Sequence, residues 1–204
     1  MSKLESSNTK VSAFTQFVLT CTYSELDAGV VVTWSVNGKD ITKGITPDGK
    51  TKSILTVSSA MKEDNGKYTC SVKFSTYGTA TKEITQYVRF AEAVATSTAI
   101  SGDATHDIMC MFYGDAHSTT LWKFGDKTLA DDADYDIAST KSDFSTKDVL
   151  TINTIEASNE GTYKCSAKYT ADSKDTAKEI RLDVYGKSCG NLINFIKMLG
   201  CISL

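Results

Sequence analysis

The chain is poor in proline and histidine and has no long apolar segment, and each shortage excludes a class of protein. Pro47 is the only proline among 204 residues, which rules out a proline-rich stalk. No run of about 18 uncharged apolar residues is present, so no segment has the pattern of a transmembrane helix. The first seven residues lack the apolar core of a secretory signal peptide, so the amino terminus is not predicted to be one.

Catalytic and metal-binding motifs are also missing. The two histidines are His106 and His117, and no Gly-x-Ser-x-Gly, His-Glu-x-x-His or phosphate-binding glycine loop occurs. We therefore expect no enzymatic activity and no cofactor. Residues 131–136 form the densest acidic stretch, but they lack the glycine and closing glutamate of a calcium-binding EF-hand loop. A solvated loop, and no metal site, is expected there.

Charge is distributed unequally along the chain. Residues 1–91 carry 11 Lys/Arg and 8 Asp/Glu, a formal charge of +3. Residues 92–185 carry 9 Lys/Arg and 17 Asp/Glu, a formal charge of −8, and residues 186–204 add two lysines. Neither large segment is basic enough to indicate a nucleic-acid partner.

One pattern of four residues occurs twice. In each copy a tryptophan follows the first cysteine by 12 or 13 residues, and a tyrosine precedes the second cysteine by two. The first copy consists of Cys21, Trp34, Tyr68 and Cys70, and the second of Cys110, Trp122, Tyr163 and Cys165. The similarity extends to flanking residues and indicates a duplicated unit of about 95 residues.

Hydrophobicity alternates with a period of two around each second cysteine. Tyr68, Cys70, Val72 and Phe74 share one face of a predicted strand, while the residues between them are polar. Further strands are predicted at 17–23, 81–90, 107–112 and 176–185, and no helix is predicted within either copy. The chain is therefore predicted to be all-β.

The residues around the second cysteine of each copy resemble the immunoglobulin superfamily. The first copy reads Asp64-x-Gly66-x-Tyr68-x-Cys70, with Leu55 upstream; the second has Asn159 in place of the aspartate. The cysteine separations of 49 and 55 residues resemble intermediate-set, variable-like or constant-2-like domains.

The resemblance implies two tandem Greek-key β-sandwiches, at residues 1–91 and 92–185. It implies disulfides Cys21–Cys70 and Cys110–Cys165, each packed against its tryptophan, Trp34 or Trp122. Tyr68 and Tyr163 are then corner tyrosines whose hydroxyls bond to backbone. These residues are expected to be structural.

The resemblance also implies a class of function. We expect an extracellular protein-binding module, secreted or in a cell-surface ectodomain, that acts in cell adhesion or in cell or immune recognition. Its partner would be a protein ligand, with another copy of the chain as one option. A structural or intracellular immunoglobulin spacer and a soluble pattern-recognition protein that binds glycans or lipids are the alternatives.

Three residues of the first copy are candidates for partner contact. A hairpin is predicted at residues 75–79, called the F–G hairpin here. Tyr77 lies at its tip, where a large amphipathic side chain suits an interface. Tyr87 and Arg89 are predicted to point outward from the strand at 81–90, because they alternate with Ile84 and Val88.

The tail, residues 186–204, is a separate apolar segment that contains Cys189 and Cys201. Its polar residues at 191, 194 and 197 would form one stripe of a short helix. A Cys189–Cys201 bridge that holds this helix against the second domain is one interpretation. A membrane-surface or partner-binding helix, an interchain disulfide, and a disordered remnant or lipid-anchor signal are the others.

Overall fold

The structure, a computed structural model, describes residues 2–24, 29–170 and 175–186. Within these ranges the chain forms two compact all-β units, as the alternating sequence predicts. The first unit comprises residues up to Phe90 together with Tyr113–Asp115 and Asp143–Ser145, and the second comprises the rest. The expected helical tail and Cys189–Cys201 bridge lie outside the described residues.

The first unit is a sandwich of two sheets. Its strands are β1 Lys3–Ser6, β2 Lys10–Ser12, β3 Phe17–Thr22, β4 Val31–Val36, β5 Lys39–Ile41, β6 Ile45–Asp48, β7 Lys52–Val57, β8 Gly66–Phe74 and β9 Gly78–Ala93. One sheet has the order β1-β3-β7-β6, and the other has the order β5-β4-β8-β9, with β2 parallel to β9. Strand β9 continues to Ala93, so its last residues belong to the second unit.

The second unit repeats this arrangement. Its strands are β10 Thr96–Ile100, β11 Thr105–Tyr113, β12 His117–Phe124, β13 Lys127–Thr128, β14 Tyr135–Lys141, β15 Ser145–Asn153, β16 Gly161–Tyr169 and β17 Asp175–Tyr185. One sheet has the order β10-β17-β16-β12-β13. The other has the order β14-β15-β11-β9, and the last residues of β9 belong to this unit. Strand β10 runs parallel to β17.

A disulfide and a tryptophan occupy the centre of each unit. Disulfides join Cys21 to Cys70 and Cys110 to Cys165, and all four cysteines are buried. In the strand register Trp34 lies opposite Cys70, and Trp122 lies opposite Cys165. The duplication is therefore preserved in the strand pairing as well as in the sequence.

The corner tyrosines bond to the backbone at the turns before β8 and β16. The hydroxyl of Tyr68 donates to the carbonyl of Asp64 at 3.1 Å, and that of Tyr163 donates to the carbonyl of Asn159 at 3.0 Å. Burial of each ring raises the pKa of its hydroxyl above the ordinary tyrosine value.

The corner turns are the 3₁₀ segments Lys62–Asp64 and Ala157–Asn159. In the first, the Asp64 carboxylate accepts a hydrogen bond from the Met61 amide at 2.8 Å; in the second, the Asn159 side-chain oxygen accepts one from the Glu156 amide at 2.7 Å. Asparagine thus performs the same capping role as the usual aspartate.

The two cores differ beside the tryptophans. In the first unit the indole nitrogen of Trp34 donates to the Ser53 hydroxyl at 2.9 Å. Asp148 takes the place of Ser53 in the second copy, since Ser53 stands two residues before Leu55 in β7 and Asp148 stands two residues before Leu150 in β15. Among the described residues, neither the buried Trp122 indole nitrogen nor Asp148 Oδ2 has a hydrogen-bond partner.

Candidate protein-binding surface

The outer face of strands β4, β8 and β9 in the first unit carries small hydroxyl side chains. Thr33, Ser71 and Thr81 lie side by side across the three strands, and Ser35 pairs with Thr69 in the next row. We call these five residues the hydroxyl face. Side chains alternate between the two sides of a sheet, so the buried residues between them pack into the core and leave this face to solvent.

An ion pair borders the hydroxyl face. Lys67 Nζ lies 2.6 Å from Glu83 Oε2, and both side chains are half exposed. An exposed pair of this kind contributes little to stability. The five side chains of the hydroxyl face are short, so another protein surface can approach the backbone of these strands closely.

The F–G hairpin places Tyr77 at the end of this sheet. Gly78, which begins β9, has a φ of +82°, a conformation that glycine adopts without strain. Tyr77 is 71% exposed, more than any other large hydrophobic residue in the described ranges. The position at the hairpin tip agrees with the sequence-based expectation for this residue.

Tyr87 is half-buried. Its ring lies 6.0 Å from that of Phe144, which belongs to the same unit, with an interplanar angle of 51°. Aromatic pairs at this distance stabilise each other, so one side of Tyr87 is already occupied. The residue remains a predicted contact, with less surface available than Tyr77.

The expectation that Arg89 points into solvent is wrong. Arg89 is only 7% exposed, and its guanidinium forms two hydrogen bonds with the Asp115 carboxylate, at 2.7 and 3.0 Å. Lys10 Nζ lies 3.0 Å from the same carboxylate. Alternation with Val88 correctly assigns Arg89 to the other side of the strand, but Asp115 of the same unit covers that side.

The Asp115 carboxyl responds to two opposing influences. Burial by itself would raise its pKa, whereas the hydrogen bonds from Arg89 and Lys10 lower it. The hydrogen bonds and positive charges prevail, so the pKa of Asp115 lies below its ordinary value. This residue cluster is consequently an internal structural contact of the first unit.

The acidic stretch at residues 131–136 is a loop whose carboxylates accept hydrogen bonds from nearby backbone amides. Asp132 Oδ1 accepts hydrogen bonds from the amides of Asp134 and Tyr135, at 2.8 and 2.9 Å. Asp131 Oδ1 accepts one from the amide of Ile137, at 2.5 Å. These carboxylates therefore shape the loop before β14, and no cluster suited to a metal ion is found in the part of the chain that the structure describes.

The two histidines lie in different surroundings. His106 Nε2 is 2.8 Å from the hydroxyl of Ser97, in a partly buried pair between β11 and β10. The His117 ring packs against Phe112 and Tyr169, with centroid distances of 6.0 and 6.1 Å. The histidines consequently belong to separate contacts and do not form a common site.

The sequence matches two family models. The model described as immunoglobulin domain covers residues 7–82, and the model described as immunoglobulin I-set domain covers residues 88–184. The chain therefore belongs to the immunoglobulin superfamily and contains two of its domains in tandem. This family is generally non-catalytic, and its domains commonly bind other proteins. No curated protein matches the sequence.

Solved tandem immunoglobulin structures share the fold. The titin tandem A164-A165 is 16% identical, with a TM-score of 0.59 over 91% of this chain and 97% of the titin chain. The titin A168-A169 pair is 19% identical, with a TM-score of 0.58 over 90% and 99%. A chain from the crystal structure of Dpr2 Ig1-Ig2 in complex with DIP-Theta Ig1-Ig3 is 17% identical, with a TM-score of 0.56 over 91% of this chain and 64% of that chain.

At these identities the similarity supports the fold alone. Within the described ranges, no helix is long and apolar enough to cross a membrane.

Proposed function

We propose that the chain is an extracellular recognition module that binds another protein through the first domain, by surface complementarity and without catalysis. Tyr77 carries the proposal, because it is a highly exposed aromatic residue at the end of the sheet that bears the hydroxyl face. Exposed tyrosines at such positions are frequent anchors of protein interfaces.

The dimensions of the surface suit a protein partner. Strands β5, β4 and β8 and the part of β9 up to Phe90 contain 31 residues. Each residue covers about 16 Å² of a sheet, which gives a face of roughly 500 Å². A standard interface buries about 800 Å² on each partner. The sheet face alone falls short of that size, so the proposed interface also includes the hairpin at residues 75–77.

The extracellular setting is supported by the two disulfides. Disulfides of this kind persist in oxidising compartments and are rare in the cytosol. Alkylation of protein from its natural source, followed by peptide mass spectrometry, should find all four core cysteines blocked to the reagent. Alkylated core cysteines in freshly lysed material would instead favour the intracellular spacer.

Binding is tested with the full-length chain and two matched variants. Tyr77→Ala should weaken binding to surfaces of cells from the same source at least about tenfold, as expected for an interface anchor. Tyr185→Ala removes a comparably exposed tyrosine from the second domain and should bind like the native chain. Equal binding by all three proteins would refute a role for the hairpin tip.

The same variants distinguish self-association from binding to a different protein. If the partner is another copy, sedimentation of the native chain should show reversible dimers that Tyr77→Ala lacks. A native chain that stays monomeric while still binding cell surfaces indicates a different protein ligand. Loss of binding after treatment of the cells with glycosidase, with no loss after protease treatment, would instead support a glycan partner.

A further inference from the structure

The second domain has an exposed apolar groove at the start of its first sheet. The groove has a volume of about 290 Å³ and is lined by Glu92, Ala93, Val94, Met109 and Met111. Val94 is 58% exposed and Met109 is 41% exposed. Exposure of these apolar side chains to water is unfavourable, so a segment that covers them gains the free energy of burying apolar surface.

The strand pattern explains how the methionines reach the surface. In β11 the inward side chains are Ile108, Cys110 and Phe112, which are all buried in the core. Met109 and Met111 alternate with them and therefore point outward, where a half-exposed sheet normally carries polar residues. Methionine is flexible and adapts to apolar partners of irregular shape.

We propose that the tail, residues 187–204 of the same chain, folds back and fills this groove. The tail is the most apolar segment in the sequence. Its large apolar side chains are Leu192, Ile193, Phe195, Ile196, Met198, Leu199, Ile202 and Leu204. An apolar segment tethered to the same domain has a high effective concentration at the groove, of the order of millimolar.

The tail is long enough to reach the groove. The amide of Arg181 donates to the carbonyl of Ala95 at 2.9 Å, so Val94 lies beside β17 about five residues before its end at Tyr185. At about 3.3 Å per residue this separation is roughly 17 Å. Leu192 is seven residues beyond Tyr185 and can extend about 23 Å, so it and all later tail residues can reach the groove.

Charge also favours this occupant. The tail carries Lys187 and Lys197 and no acidic residue, whereas residues 92–185 have a formal charge of −8. Glu92 stands at the groove itself. A basic, apolar segment is therefore attracted to an acidic domain with an apolar groove, although the charge contribution weakens with salt.

Methionine oxidation measures the docking directly in the full-length chain. Met109 in the second domain and Met61 in the first are 41% and 40% exposed, so Met61 is an internal reference. Under dilute hydrogen peroxide, peptide mapping should show sulfoxide forming at Met109 about fivefold more slowly than at Met61. That ratio corresponds to a docked fraction of about 80%, because only the undocked chain reacts.

Two pairs of variants identify the groove and its occupant. Ile196→Asp in the tail should make Met109 react as fast as Met61, while Asn194→Asp, on the polar stripe, should keep the protection. Val94→Asp should also remove the protection, whereas Val31→Asp, at a similarly exposed position of the first domain, should not.

Equal oxidation of Met109 and Met61 in the native chain would overturn the proposal. So would protection that survives both Ile196→Asp and Val94→Asp. Protection that disappears on tenfold dilution would assign the groove to the tail of a second copy. Protection that requires phosphatidylserine vesicles would assign it to lipid. Either result would overturn docking within one chain.

Discussion

Asp148 marks a difference between the cores of the two domains. It replaces the serine that satisfies the tryptophan in the first domain, and it is fully buried. Its Oδ1 accepts a hydrogen bond from Ser139, while Oδ2 and the Trp122 indole nitrogen have no partner among the described residues. We predict that Asp148→Ser stabilises the second domain by re-creating the bond seen between Trp34 and Ser53.

The magnitude follows from the groups involved. A hydrogen bond to the indole contributes about 1 kcal/mol net, and satisfying a buried donor removes a penalty of about 1–3 kcal/mol. Ser139 loses its partner, but it is exposed and can bond to water, and the shorter side chain leaves a small void. The expected net gain is about 1–2 kcal/mol, or about 5–15 °C in the Tm of a domain of this size.

The reciprocal change provides the control. Ser53→Asp in the first domain places a carboxylate beside Trp34 and should lower the free energy of unfolding of that domain by about 2–4 kcal/mol. Calorimetry of the full-length chain follows the two domains as separate transitions, and the indole proton of Trp122, observed by NMR, reports on the new bond.

The result that would refute this reasoning is an Asp148→Ser protein whose second domain melts at or below the native temperature with an unshifted Trp122 indole resonance. The indole and carboxylate would then already be satisfied in the native chain.

Three further predictions concern stability. Reduction of both disulfides should lower the free energy of unfolding of each domain by about 4 kcal/mol, because they close loops of 49 and 55 residues; equal denaturation midpoints with and without reductant would contradict this. The lowered pKa of Asp115 means that its ion pair stabilises the first domain above about pH 4 and is lost as the pH falls through the lowered pKa. Asp115→Asn should therefore reduce the stability at neutral pH and flatten the acid limb of the stability curve, and an acid limb identical to the native one would count against the ion pair. Asp131→Ala should speed amide hydrogen exchange at Ile137 about tenfold by removing its acceptor, while Asp126→Ala in the preceding exposed turn should leave it unchanged.

The sandwich fold follows from local patterns in the sequence. Alternation with a period of two determines which side of a strand is apolar, and it holds in both domains because each strand has one face in the core. The spacing of Cys21, Trp34, Tyr68 and Cys70 resembles that of the immunoglobulin superfamily, and this resemblance implies a tryptophan packed against the disulfide. In the structure Trp34 lies opposite Cys70 on the neighbouring strand.

The surface was less predictable because it depends on contacts between distant residues. Alternation assigned Arg89 to the side away from Val88, but Asp115, 26 residues later, covers that side. The small hydroxyls of the hydroxyl face were partly visible in the alternation of β8, where Thr69 and Ser71 separate buried residues. Their alignment with Thr33 and Thr81 requires the register of three strands, which the spacing of one strand cannot supply.

At position 148 the sequence shows that the two domains differ, but not how the side chain is hydrogen-bonded. The alignment of the two copies places Asp148 where the first has Ser53, and the sequence therefore contains the information that the tryptophan environments differ. It does not reveal which carboxylate oxygen bonds to Ser139, since that depends on the side-chain rotamer and on the neighbouring strand β14. Side-chain hydrogen bonds of this kind change the free energy of unfolding, and neither the composition nor the alternation of the sequence predicts them.

Photo-crosslinking from the hairpin tip tests the central claim most directly. A photoreactive amino acid in place of Tyr77 is compared with the same group in place of Tyr185, in full-length chain applied to cells from its natural source. We expect covalent adducts between position 77 and another protein, or a second copy of the chain, with few or none from position 185. Adducts from position 185 alone, or the absence of protein adducts from position 77, would contradict that claim.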